Sequence, residues 1–421
     1  MKKILIAAVM FTTLVVTAQN LNGRFSTSLY TFERFSAPEV SELNVRSLSS
    51  LYFNLSKDNI TLRSRLNFET NIANSLNNDP RLRFYNLYVE ARNLLNVATI
   101  RLGRQSFYNG VAGGLYDGVN LQLRHGIFKL EGFYGGNVPE YQKLELTDDF
   151  ANDFILGGEL TVYPTDELRI AVNYTDKNFK AQDYDAIRLN EFNVLDTILI
   201  QRASNQFKYL GAEVSYYIPK LIEINSRYNY DLNFEQTSRF EIGTRYTQVE
   251  DFGVSLYYNY REPRIRYNSI FSVFNFSNTE EIEGGLDYKF SDVVTAFGKF
   301  ANVTYQDEDS QRLTLGINTT YGTVSYRTSF GYAGELNSFS VYTARSFEDG
   351  FITPSFGLTV SSYRLSESDP KNNLLALLAG VNIRPWSKLS FDIQTQYVSN
   401  KIYNNDFRIL FKINHWFNTN F

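Results

Sequence analysis

The sequence predicts an all-β fold, a transmembrane antiparallel up-and-down β-barrel of about 22 strands (range about 16–22), and three observations predict it. Apolar and polar residues alternate with period two over run after run, and helical periodicity is nearly absent. The connections between the runs fall into a short class and a long class that alternate. The chain carries 30 Tyr and 34 Phe while its mean hydropathy is −0.29. Rings gathered into two interfacial girdles, over strands with every second residue polar, reconcile those two values.

The first eighteen residues read as a secretory signal peptide: Lys2 and Lys3, an apolar run from Ile4 to Val16, then small residues ending at Ala18. That run is 13 residues long, short of the ~20 a membrane-crossing helix needs. Residues 19–421 are then expected to be one barrel domain. No linker or composition break interrupts them, and amphipathic residues begin at Asn22 with no cork domain ahead of the first strand. The formal charge of −4 becomes −6 once Lys2 and Lys3 leave, and no basic block appears, which speaks against nucleic acid as a partner. With no cysteine, thiol catalysis, Cys-ligated zinc and attached haem are excluded, and no cofactor or metal is expected.

Strands follow from parity. In residues 59–72, Leu62, Leu66 and Phe68 share one face with Ser64, while Arg63, Arg65, Asn67 and Glu69 share the other. Ala98, Ile100 and Leu102 oppose Thr99, Arg101 and Gln105, and Val119, Leu121 and Leu123 oppose Asn120, Gln122 and Arg124. Phe240, Ile242, Thr244 and Tyr246 oppose Arg239, Glu241 and Arg245, with Gly243 leaving room among them. Lipid requires an apolar outer face and full backbone pairing, which closure supplies.

Short turns are expected around residues 56–59, 125–126, 164–167, 219–220, 291–292, 321–322, 347–350 and 385–388. Long connections are expected at 35–41, 73–80, 106–115, 138–151, 176–205, 263–277 and 366–373. Short periplasmic turns and longer external loops are the known asymmetry of outer-membrane barrels, so an even strand count puts both termini in the periplasm and the chain in the cell outer membrane. The terminal segment Phe407 to Phe417, closing on Phe421, resembles the last strand of outer-membrane proteins. That resemblance implies recognition by the barrel-assembly machinery during biogenesis.

The most individual segment is Arg101-Leu102-Gly103-Arg104-Gln105, followed by Gly110-Val111-Ala112-Gly113-Gly114 and Asp117-Gly118. It resembles the Leu-Gly-Arg-Gln strand end of alginate-export-like and related porin-like barrels over some twenty residues. Two readings stay open: a constriction loop folded inward around Arg104, Gly110, Gly113, Gly114 and Asp117, or a flexible external loop. No Lys-Ser/Thr pair follows the glycines, so they do not form a phosphate-binding loop.

The inward parity collects pore-lining candidates Arg63, Arg65, Glu69, Glu90, Arg101, Gln105, Arg124, Lys129 and Glu131. In a water-filled lumen such charges set ion preference; in a filled one they are a salt-bridged lining. Catalysis finds no footing, because His125 and His415 both fall at the turn end without a motif. The acidic loop with Glu140, Glu145, Asp148 and Asp149 lacks the spacing of a calcium loop, and Ile198-Leu199-Ile200 reads as a loop hairpin or a contact patch. The expected activity is passage of small hydrophilic solutes, with no reaction. The alternative is a non-conducting barrel that sheathes or supports a secretion, surface or electron-transfer complex. Expected partners are outer-membrane lipid, the solutes, and either a second copy or an envelope protein.

Overall fold

A computed structural model of the chain describes Gln19 to Phe421 except residues 38–39, 74–78, 110–111, 139–143, 145, 148, 181–182, 190–193, 202–205, 265–276, 332–333, 367 and 402–404. The alternating runs form β1 (Asn20–Ala37), β2 (Val40–Lys57), β3 (Ile60–Asn71), β4 (Arg81–Leu94), β5 (Ala98–Asn109), β6 (Ala112–His125), β7 (Phe128–Val138), β8 (Phe154–Val162) and β9 (Leu168–Asn178). A hairpin of β10 (Asp183–Leu189) and β11 (Leu195–Gln201) follows. The wall resumes with β12 (Gln206–Ile218), β13 (Ile222–Asp231), β14 (Gln236–Tyr246), β15 (Phe252–Arg261), β16 (Thr279–Lys289), β17 (Val294–Tyr305), β18 (Glu308–Thr319), β19 (Gly322–Gly331), β20 (Glu335–Ala344), β21 (Ile352–Arg364), β22 (Asn372–Trp386), β23 (Leu389–Ser399) and β24 (Asp406–Asn420).

Twenty-two strands, all but β10 and β11, join in one antiparallel sheet in which each pairs with its neighbour along the chain and β9 pairs with β12. The sheet closes where β1 meets β24, in register from Asn20↔Asn420 to Thr31↔Ile409. Closure satisfies the backbone without a free edge, the condition for a sheet in lipid. Side chains lock the seam as well: Asn20 Nδ2 donates to Asn418 Oδ1 at 2.9 Å, and Ser26 Oγ to Asn414 Oδ1 at 2.9 Å.

Cross-strand pairing carries one parity around the whole ring. The face with Leu102, Val119, Leu160, Val172, Leu210, Leu256, Leu286 and Phe300 is outward, and these residues are exposed. The apolar surface is therefore on the outside. Along β9 it runs from Leu168 through Ile170, Val172 and Tyr174 to Asp176, eight residue steps or roughly 20 Å once strand tilt is allowed for. A polar collar closes the band at its upper rim: Asp176 faces Lys208 at 3.7 Å, and Glu335 pairs with Arg364. Tyr246, Phe252, Tyr288 and Phe290 stand at the lower border along β14 to β16, and Tyr134, Tyr174, Tyr228 and Tyr258 at the upper one on β7, β9, β13 and β15.

The turns expected to be short are short and lie at one end with both termini. The other end departs from expectation in two places. Residues 35–41 and 106–115, read as long connections, are strand up to Ala37 and Asn109 and again from Val40 and Ala112. Tight links also occur there, at 232–235 and at Gln306-Asp307, where both residues take positive φ. The long connections at that end are those at 72–80, 139–153, 179–205, 262–278 and 365–371.

A row of glycines explains why 106–115 is wall rather than loop. Gly103, Gly118 and Gly135 are successive cross-strand partners on the inner face of β5, β6 and β7. Gly103 has φ +125°, and a Cβ there would sit 2.3 Å from the Leu87 carbonyl oxygen; one at Gly118 would sit 2.1 Å from that of Tyr134. The glycines let the strands crease and press together, as they do at bends in curved sheets. The Tyr116 ring lies over Gly135 and the Phe133 ring over Gly157, and with Phe107 and Ile155 they form an apolar cushion on the inner wall.

Candidate functional site

Twenty-two strands about 4.8 Å apart and tilted by about 40° enclose a ring roughly 40 Å across, far more than the ~10 Å that two facing layers of side chains fill. The inner wall is thus the surface on which solute chemistry is to be sought.

That wall carries a belt of ion pairs from β3 to β18. On β4, Glu90 is almost wholly buried and accepts from Arg63 Nη2 at 3.0 Å, Arg101 Nε at 2.8 Å and Arg92. Next along, Glu131 accepts from Asn120 Nδ2 at 2.9 Å and meets Lys129 Nζ at 3.1 Å. Arg169 bridges Glu159 at 3.3 Å and Glu213 at 3.0 Å, and Glu213 also takes Arg227 Nε at 2.9 Å. Arg312 bridges Glu281 and Glu283, with Lys299 3.0 Å from Glu283. Arg245 reaches from β14 to Asp287 on β16 at 2.9 Å, over Gly253, where a Cβ would meet the Asp287 carboxylate at 2.6 Å.

The opposite sector changes character. From β20 to β24 the inner wall is bound mainly through hydroxyls and amides: Ser338 with Ser361 at 2.8 Å, Ser340 with Thr359 at 3.1 Å, and Asp392 accepting from Asn382 at 2.5 Å and Asn414 at 2.9 Å. Ion pairs are sparser in this sector, where Asp406 and Arg408 on β24 form one on the inner wall.

Of the residues singled out from sequence, Arg63, Glu90 and Arg101 converge in one knot, and Lys129 and Glu131 in another. Glu69 lies 3.9 Å from Arg83. Gln105 is inward and buried, donating to the Gly118 carbonyl at 3.3 Å. Arg65 stands apart with its guanidinium 5.5 Å from the Tyr85 ring centroid, and Arg124 is an exposed cross-strand partner of Lys129 near the turn end.

Arg104 and Asp117 require a correction, because neither joins Arg101 and Gln105 on the inner wall. Strand alternation puts them on the parity of Leu102 and Val119, and there they form a two-pronged pair, Nε–Oδ1 2.8 Å and Nη2–Oδ2 2.7 Å, with both side chains under a tenth exposed. Gly113 and Gly114 belong to β6, and Lys177 Nζ donates to the Gly113 carbonyl at 2.8 Å; Gly110 lies outside the described residues. His125 ends β6 at the turn, and His415 points outward near the end of β24. In the acidic loop, Asp149 is capped by the Asn152 backbone and side-chain amides and by Lys180 at 3.6 Å, while Glu140, Glu145 and Asp148 lie outside the described residues. Among the described residues no group of three metal-ligating side chains comes together. Ile198 and Leu199 lie in β11, so that segment is a loop hairpin.

Sequence reasoning missed the knots at Arg169 and Arg312. For Arg169 the signal was present, since period two puts 159, 169, 213 and 227 on the inward parity, but pairing across 27 residues of connection cannot be read from alternation alone.

No protein-family model matches the sequence, and no curated protein does. Among solved structures, the P pilus usher (PapC) translocation pore matches over 94% of this chain and 99% of its own, at 10% identity and TM-score 0.48. OccAB4 of Acinetobacter baumannii matches over 96% and 99%, at 9% and 0.46. An E. coli P pilus tip assembly intermediate containing PapC matches over 94% of this chain and 61% of that one, at 9% and 0.51. At such identities the likeness speaks to fold alone, and with the closed ring it makes this chain a 22-stranded antiparallel β-barrel.

Proposed function

We propose that the chain is an integral outer-membrane channel through which small hydrophilic solutes pass without chemical change. The observation that carries this reading is a closed ring of 22 strands, apolar outside and lined inside by charges and hydroxyls, a strand number that implies a backbone diameter of roughly 40 Å. A lumen of that width is not filled by its own wall, and hydrated fixed charges are what governs ion passage in such pores. The apolar band and its aromatic borders support the membrane location, and the signal-peptide composition of residues 1–18 supports export. By the usual asymmetry of such barrels, the end with short turns and both termini is periplasmic and the long connections face outward.

The test is single-channel conductance of the purified, refolded barrel in planar bilayers, with Arg65→Glu beside the parent. Arg65 is the better probe than Arg101, because replacing Arg101 also breaks the Glu90 knot. Open steps whose selectivity moves toward cations in the variant are expected. Silence from folded barrel would sink the channel and direct attention to a partner held in the lumen.

A further inference from the structure

On the inner wall between β13 and β18 lies a recess of about 460 Å³. It exists because Gly243 offers no side chain between Asn225 and Tyr257, and because Ser255 faces Gly285 across β15 and β16. Around it stand three carboxylates, Glu223, Glu281 and Glu283, and three cations, Arg245, Lys299 and Arg312. We propose that this recess is a subsite for small zwitterionic solutes, of amino-acid to dipeptide size, and the proposal rests on the channel reading above.

Balance of charge is the first ground. A simple anion or cation entering the recess is drawn by three groups and repelled by three, and an uncharged solute gains only hydrogen bonds already available from water. A molecule bearing both charges can turn so that each end meets its opposite. Availability is the second ground. Arg245 and Lys299 are about half exposed, with donors beyond those given to Asp287 and Glu283. Glu223 is exposed and accepts from the Asn225 amide at 2.8 Å, and no cation among the described residues pairs with it. Glu223 and Arg245 are direct cross-strand partners, so an acceptor for an ammonium and a donor for a carboxylate stand side by side about 5 Å apart at Cβ, a spacing suited to the two ends of such a solute.

The experiment adds glycylglycine to one side of the refolded channel in a planar bilayer and compares it with acetate, ethylammonium and glycerol at equal concentration. Glycylglycine is expected to produce saturable current interruptions at millimolar levels that the other three do not. Glu223→Gln and, separately, Gly243→Val are each expected to shorten those interruptions at least tenfold. A Cβ at 243 meets only Tyr257 Cδ2, at an ordinary 3.7 Å, so the backbone there admits a side chain, and Glu223→Gln keeps the shape of an exposed side chain. An open channel that treats all four probes alike, or both variants behaving as the parent, overturns the subsite and leaves the channel standing. A silent barrel overturns both.

Discussion

Glu90 gathers three arginines onto one carboxylate that is 4% exposed, while Arg63, Arg101 and Arg92 keep 27%, 29% and 46% of their side-chain surface. Neutralising it leaves three cations facing one another with only partial hydration. Glu90→Gln is expected to cost about 2 kcal/mol, below the ~3–5 of a wholly buried pair because water screens the arginines. Urea unfolding of the refolded barrel measures it. Asp149 is the counterpart outside the wall: hydrogen bonds from the Asn152 side chain hold its carboxyl below the usual range, and Lys180 adds to the effect. A depressed pKa means the cap is intact above the ordinary value near ~4 and is lost as pH falls through the lowered one. Protection of the Asn152 amide against hydrogen exchange is expected to hold from neutral pH to about 4 and to fall below it, and removing the Asn152 side chain in Asn152→Ala should raise the pH of that onset. At this scale the inner parity of Arg63, Glu90 and Arg101 was legible. Their convergence was not, because it depends on the shift between Ala91 and Leu94 that sets the register of β5.

Among the strands, β5 and β6 differ most from what their composition suggests. Gly113 and Gly114 read as a loop because glycine is the commonest loop-former, yet the ladder runs through both, to Asn109↔Ala112. Gly103 is the position where the crease tolerates nothing larger, having both positive φ and the Leu87 carbonyl in the way. Gly103→Ala is expected to destabilise by about 1–3 kcal/mol, whereas Gly132→Ala, with nothing within 4 Å of its added Cβ, should be neutral or slightly stabilising. The temperature at which the folded band is lost on unheated gels reads both. The inner aromatic cushion went unforeseen for a related reason. Alternation marks faces as apolar or polar, and rings seated on glycine break that rule at Tyr116 and Phe133.

For the whole molecule, the sequence was legible where the physics is repetitive. Strand number, the faces of most strands and the end holding the short turns all follow from period two and from punctuation. Links such as 232–235 and Gln306-Asp307 escaped notice because they are tight, and the polar run from Gln306 to Arg312 is mostly strand, with only two residues outside it. Orientation toward lipid has its own test in adjacent residues. Leu256→Arg puts a charge on the outer band and is expected to cost about 2–4 kcal/mol at mid-bilayer, while Ser255→Arg, facing the recess, should change conductance with little effect on stability. Unfolding in lipid vesicles separates the two, and a larger cost for Ser255→Arg than for Leu256→Arg would mean that the faces are assigned backwards.

The seam between β1 and β24 gives assembly a distinctive order. Every other strand pairing joins neighbours along the chain or spans the β9–β12 link, so hairpins can zip up in sequence with small loop-closure cost. Asn20 and Asn420 meet across the entire sequence, and until they do, the nascent sheet has two raw margins, each able to capture the other or a stranger. The ring thus has a single long-range latch of twelve paired residues, and loop-closure entropy makes it the costliest pairing to form.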